Sequence, residues 1–192
     1  MMKKLIALFL ALALSLSCAA VLAEATTEKI ELGKVEMNGA FVLKGTIPDG
    51  YTYQINELNP GVKLDANLVK EGDPDAPYMN IMIYLEDSYE PGTKLNDVSE
   101  EVLKEIEDSF KIDAEVKIDY LDTVNGTKLM KVTEVGDDPD WIAIYTIFEG
   151  YEIEMTIKFA EDAKNPVLTD DQVEKAVKFL EDMDFVKAEE VK

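Results

Sequence analysis

Tyr151, Ile153, Met155, Ile157 and Phe159 alternate with Glu152, Glu154, Thr156 and Lys158. A period of two places one set on a core and the other in water, which predicts a half-buried strand. Val116, Ile118 and Tyr120 alternate with Glu115, Lys117 and Asp119 in the same way. From Trp141 to Phe148 the chain is apolar at odd and even positions alike. Such a strand belongs inside a sheet, with cover on both faces. Phe148-Glu149-Gly150-Tyr151 and Asn125-Gly126 carry the turn residues of tight hairpins, so these runs are predicted to pair antiparallel. Two helices interrupt the strands. Val102, Leu103, Ile106 and Phe110 form a stripe at helical spacing after Val98. The second helix opens at Thr169-Asp170-Asp171-Gln172, a capping box with acids at the positive end of the dipole, and Leu168 is placed to staple onto Val173. Val173, Ala176, Val177 and Leu180 continue its apolar face. The predicted order is several strands, a helix near 98–110, four strands in hairpins and a closing helix. This is an α+β domain with helices packed on a twisted, mainly antiparallel sheet of about six to eight strands.

The N-terminal pattern is different in kind. Lys3 and Lys4 precede an apolar run from Leu5 to Leu16, and Val21-Leu22-Ala23 stands just before Glu24. A basic start, an apolar segment of roughly 7–15 residues and small side chains before the cut are the signature of an export signal. Residues 1–23 are therefore expected to be removed after Ala23, or the cut to fall after Ala25, and the protein to be secreted or held at the cell surface. The run is shorter than the roughly 20 residues of a membrane-spanning helix. Cys18 follows the same run, as does the lipidated cysteine of bacterial lipoproteins. Ser15-Leu16-Ser17-Cys18 reverses the usual order of leucine and small residue, which favours ordinary cleavage over a lipid anchor. The remaining 24–192 carry no Ser-, Pro- or Gly-rich linker and are expected to form one domain, with 24–28 polar and a frayed acidic tail from about 188.

Charge narrows the partners. The chain has 19 Lys and Arg against 40 Asp and Glu, a net charge of −21, and all its cations are lysines. A polyanion of this kind is repelled by nucleic acid and by anionic lipid, so neither is expected as a primary partner. Without arginine there is no planar fork for phosphate or carboxylate. Histidine is absent, and the one cysteine lies in the leader. Ser-His-Asp and Cys-His relays, histidine-ligated zinc and imidazole acid–base chemistry are thereby excluded. A carboxylate pair of the glycosidase kind is chemically open, but no pair stands out from the sequence.

Phe41-Val42-Leu43-Lys44-Gly45-Thr46-Ile47-Pro48-Asp49-Gly50-Tyr51 opens the domain. This segment, the helix after Tyr84-Leu85, the Asn125-Gly126 hairpin, the paired strands around Glu149-Gly150 and a closing helix ending in Met183-Asp184-Phe185 resemble, in order and spacing, the PsbP-like family. That family is named for an extrinsic subunit of photosystem II and includes exported bacterial proteins. The resemblance implies an α-β-α sandwich and a non-catalytic, accessory or binding role. It assigns no functional residue, because metal binding in the photosynthetic members is associated with histidine.

Two acidic loops, Glu71-Gly72-Asp73-Pro74-Asp75-Ala76-Pro77 and Gly136-Asp137-Asp138-Pro139-Asp140-Trp141, each precede a predicted strand. Calcium draws its six to eight oxygens from loops of this kind, although neither has the spacing of a calcium hand, and Asp, Pro and Gly are also ordinary turn residues. Tyr84, Trp141 and Tyr145 are expected on one sheet face, with Tyr51 and Tyr53 near its edge, either as core packing or as a platform for a ligand. Lys128 and Lys131 read as solvated counter-charges. Gly45, Gly50 and Gly61 lack the spacing of a phosphate loop. The leading expectation is an exported, non-catalytic domain that binds a protein or cell-envelope component, with no cofactor, metal or catalytic residue assigned. A small-ligand or calcium-dependent glycan-binding module is the alternative, and a carboxylate-based hydrolase a third.

Overall fold

The computed structural model describes residues 29–187 apart from Asn38, Asn59, Pro74, 86–88, Asp113, 124–125, 137–139, 161–162 and 164–166. The predicted leader with Cys18, the segment 24–28, the tail from 188, Asn125 of the predicted turn, and Asp137 and Asp138 of the second acidic loop lie outside the described residues.

The elements follow in the order β1 (Ile30–Met37), β2 (Gly39–Gly45), β3 (Tyr51–Ile55), β4 (Val62–Lys70), β5 (Tyr78–Leu85), α1 (Glu100–Phe110), β6 (Val116–Asp122), β7 (Lys128–Glu134), β8 (Trp141–Phe148), β9 (Tyr151–Lys158), α2 (Asp170–Asp182) and β10 (Asp184–Lys187). Seven strands form one antiparallel sheet in the order β3-β4-β5-β9-β8-β7-β6, and β1-β2-β10 form a second, three-stranded one. The mainly antiparallel α+β expectation holds at this level. The single sheet does not: β1, β2 and β10 make a separate layer that the strand pattern did not announce.

Strand β8 sits inside the large sheet between β7 and β9, with every residue from Ile142 to Ile147 buried. Its side chains alternate between two cores. Ala143, Tyr145 and Ile147 meet α1 through Ile106 and Phe110, while Ile142 and Ile144 join the core that holds Val173, Ala176 and Phe179 of α2. The small sheet packs on the same side as α2, through Leu32 and Leu43. Tyr53 on β3 bridges the two sheets by donating its hydroxyl to the Leu32 carbonyl oxygen at 2.8 Å. Among the described residues no helix is long and apolar enough to cross a membrane.

Local chemistry accounts for the boundaries. Ser99 caps α1 by accepting the Val102 backbone N–H. Gln172 reaches back to accept the Thr169 N–H at 2.7 Å, the reciprocal bond of the predicted capping box. The β8–β9 hairpin turns on Glu149 and Gly150, whose φ values of 53° and 80° are the positive pair a two-residue primed turn requires. At Pro48-Asp49-Gly50-Tyr51 the Tyr51 N–H bonds the Pro48 carbonyl oxygen at 3.0 Å, with Gly50 at φ 77°.

The closing helix covers the apolar stripe to Leu180 but is shorter than the PsbP-like resemblance implies, in which it ends in Met183-Asp184-Phe185. It stops at Asp182, and Asp184–Lys187 pairs antiparallel with β2 as a strand. The reason is aromatic packing: Phe185 lies with its ring centroid 5.2 Å from Phe148, 5.9 Å from Tyr151 and 6.3 Å from Phe41. Extended backbone points Phe185 into that cluster, and the burial outweighs one further helical turn. Lys29 fixes the same corner, bonding the Asp182 carbonyl oxygen at 2.6 Å and the Asp184 carboxylate at 2.9 Å.

Candidate functional site

The two faces of the large sheet are finished differently. On the side of α2 and the small sheet, β4, β5 and β9 present Leu64, Ala66, Leu68, Ile81, Ile83 and Met155, all essentially inaccessible. On the opposite side α1 covers β6, β7 and β8 only. Beyond α1 the same face runs on across β9, β5, β4 and β3, and among the described residues no helix or strand packs on it. Its side chains are partly exposed there, and most are polar.

The centre of this uncovered half is a closed ring of hydrogen bonds. Asn80 Nδ2 donates to Asp65 Oδ1 at 2.8 Å and to Asn67 Oδ1 at 3.0 Å. Asn67 Nδ2 donates to Asn56 Oδ1 at 3.2 Å, and Asn56 Nδ2 returns to Asp65 Oδ1 at 2.7 Å. Strand geometry builds it. Asn67 and Asn80 are direct cross-strand partners between β4 and β5, and side chains two apart on one strand share a face, which brings Asp65 beside them. Asn56 follows β3 and is anchored by its own N–H to the Asp65 carbonyl oxygen at 2.8 Å. The ring lines an open groove of about 510 Å³ bounded by Tyr78, Met82, Asp73 and Lys158. That volume falls in the range of small-molecule sites, about 300–1,000 Å³. A more enclosed cavity beneath the end of α2, lined by Thr127, Thr146 and Phe185, is only about 110 Å³ and falls below that range.

The expected aromatic face is present in part. Tyr84, Trp141 and Tyr145 do share a side of the sheet, since the register of β5, β9 and β8 sets all three on it. Their environments differ. Tyr145 is buried, with the Phe110 ring of α1 edge-on at 5.8 Å. Burial, reinforced by the Glu152 charge, pushes its hydroxyl far above the ordinary phenol range. Trp141 packs at the margin of the same core. Tyr84 stands on the uncovered half, its hydroxyl toward Met82 Sδ at 3.0 Å, and is pushed up to about 12 by burial and by the nearby carboxylates Glu154 and Asp65. Tyr51 and Tyr53 lie on the edge strand, as expected, but face the other way, into the α2 core.

Of the first acidic loop, Asp73 lies 3.7 Å from Lys70, and the Ala76 N–H closes a turn on the Asp73 carbonyl oxygen at 3.2 Å. Among the described residues no group of three or more carboxylate, histidine or cysteine side chains is arranged to hold a metal ion. Lys128 is not a bare counter-charge: its ammonium lies 4.7 Å from the Tyr120 ring centroid.

The Asn56, Asp65, Asn67 and Asn80 ring was absent from the sequence expectations. Its signal is compositional: Asn and Asp are depleted in strands, yet β4 and β5 together hold three of them, Asp65, Asn67 and Asn80. No protein family, curated protein or solved structure matches the chain.

Proposed function

We propose that this chain is an exported, non-catalytic accessory or binding domain of PsbP-like type, which holds a cell-envelope component on the uncovered half of its large sheet. One observation carries the reading. The same strands that bury an unbroken apolar surface on one side display a pre-bonded array of amides and a carboxylate on the other, over a groove wide enough for a ligand. A face that served only solubility would be met by Lys and Glu, which order little; four short side chains locked to one another hold fixed directions. The layer order, with α1 on one side of the sheet and α2 on the other, supports the PsbP-like placement. Export rests on Lys3, Lys4 and the apolar run that ends before Ala23.

The non-catalytic reading rests on the side chains available. There is no imidazole, and Tyr84 on the uncovered half is pushed up to about 12, away from acid–base work near neutrality.

Cosedimentation with washed envelopes of the source organism tests the reading. The purified protein is expected in the pellet and its Asn80→Arg variant, whose long side chain fills the groove, in the supernatant. Equal partitioning of the two, or a wild-type protein that never pellets, contradicts it.

A further inference from the structure

We propose that the Asn56, Asp65, Asn67 and Asn80 ring is a subsite for a neutral, polyhydroxylated ligand, a glycan segment, which rests on the reading of the uncovered face as the binding surface. The ring consumes only part of its own hydrogen-bonding capacity. Asp65 Oδ1 takes two amide hydrogens, while Oδ2 has no partner among the described residues. Asn80 spends its nitrogen on Asp65, Asn67 and the Ala66 carbonyl oxygen, and its own Oδ1 accepts nothing among the described residues. Asn56 and Asn67 each use one amide hydrogen in the ring and keep a second. Two acceptors and two donors thus remain on one small patch.

Sugar hydroxyls donate and accept at once, so neighbouring hydroxyls on a pyranose ring match alternating donors and acceptors of this kind. The ring also fixes these groups before any ligand arrives, which removes most of the side-chain ordering cost of binding. Tyr78, Met82 and Tyr84 stand on the same face of β5 and offer apolar surface for the C–H faces of a sugar.

Other ligand classes fit less well. An anion would meet Asp65 and Asp73 in a chain of net charge −21. A divalent cation needs several oxygens together, and no such group occurs among the described residues. A protein partner would seek buried aromatic or aliphatic anchors, whereas the middle of this groove is amide and carboxylate.

Titration of the purified protein with cellotetraose, tetra-N-acetylchitotetraose and mannotetraose, followed by NMR chemical shifts, tests the inference, with tetragalacturonate as the anionic control. At least one neutral tetrasaccharide is expected to bind, shifting the resonances of Asn67 and Asn80, and tetragalacturonate is not. Asn80→Ala and Asn56→Ala should each weaken binding about tenfold, the loss of one or two good hydrogen bonds. Asn56 lies outside the strands, so its variant keeps the fold if Asn80→Ala does not. Absence of shifts with every neutral sugar, or affinity unchanged in both variants, overturns the glycan assignment. If envelope binding persists and is lost in Asn80→Arg while the sugars fail, the uncovered face stands and the glycan falls; if both assays fail, both fall.

Discussion

The Tyr53 hydroxyl donates to the Leu32 carbonyl oxygen at 2.8 Å, and this is a direct polar tie between the seven-stranded sheet and the three-stranded one. Tyr53→Phe keeps the ring in the core and leaves a partly buried carbonyl without its donor. The variant should lose about 1 kcal/mol, read as a lower urea midpoint at unchanged slope.

The same hydroxyl gives the stability an alkaline limit. Burial pushes Tyr53 up to about 12, and Tyr151 likewise, whereas a tyrosine of the unfolded chain ionises near 10. Above pH 10 the unfolded state therefore sheds protons that the folded state retains, and stability falls as pH rises toward 12. Urea midpoints measured from pH 9 to 12 should fall more steeply for the wild-type protein than for Tyr53→Phe.

Tyr151 is the contrasting case. It is fully buried among Phe41 and Phe185, and its hydroxyl has no hydrogen-bond partner among the described residues. Tyr151→Phe removes a buried polar atom and keeps the ring contacts, so the midpoint should rise, by about 1 kcal/mol in free energy. A clear loss of stability would mean that the hydroxyl is bonded after all.

Glu149 is the one described residue other than glycine with positive φ, at 53°. A side chain in that conformation costs about 1 kcal/mol, and asparagine tolerates it better. Glu149→Asn should raise the thermal midpoint without altering the hairpin, checked by calorimetry.

What could be read in the sequence was local. Thr169 and Gln172 announce their helix because a capping box is complete within four residues, and Glu149-Gly150 announces its turn for the same reason. The burial of β8 on both faces was legible because no charged residue interrupts it and Thr146 is its one small polar side chain. Strand β10 was not: Phe185 and Val186 follow the closing helix directly, and only the distant rings of Phe41, Phe148 and Tyr151 draw Phe185 into an extended segment. The candidate site was illegible for a related reason. Asn67 and Asn80 become neighbours through the register of β4 on β5, which shifts between Val62 and Leu64, and one residue of slip would turn either to the other face. The parity of Tyr51 and Tyr53 is likewise fixed by pairing with β4 and not by their own alternation.

Hydrogen exchange of the purified protein, with and without washed envelope fragments, tests the central claim most directly, because it reports which surface is covered. Slower exchange should be confined to Asn56, the stretch from Asp65 to Val69 and the stretch from Tyr78 to Met82. Protection centred instead on α1, or on the groove that Val173 and Val177 of α2 form with Leu121, would contradict the account, as would no protection anywhere.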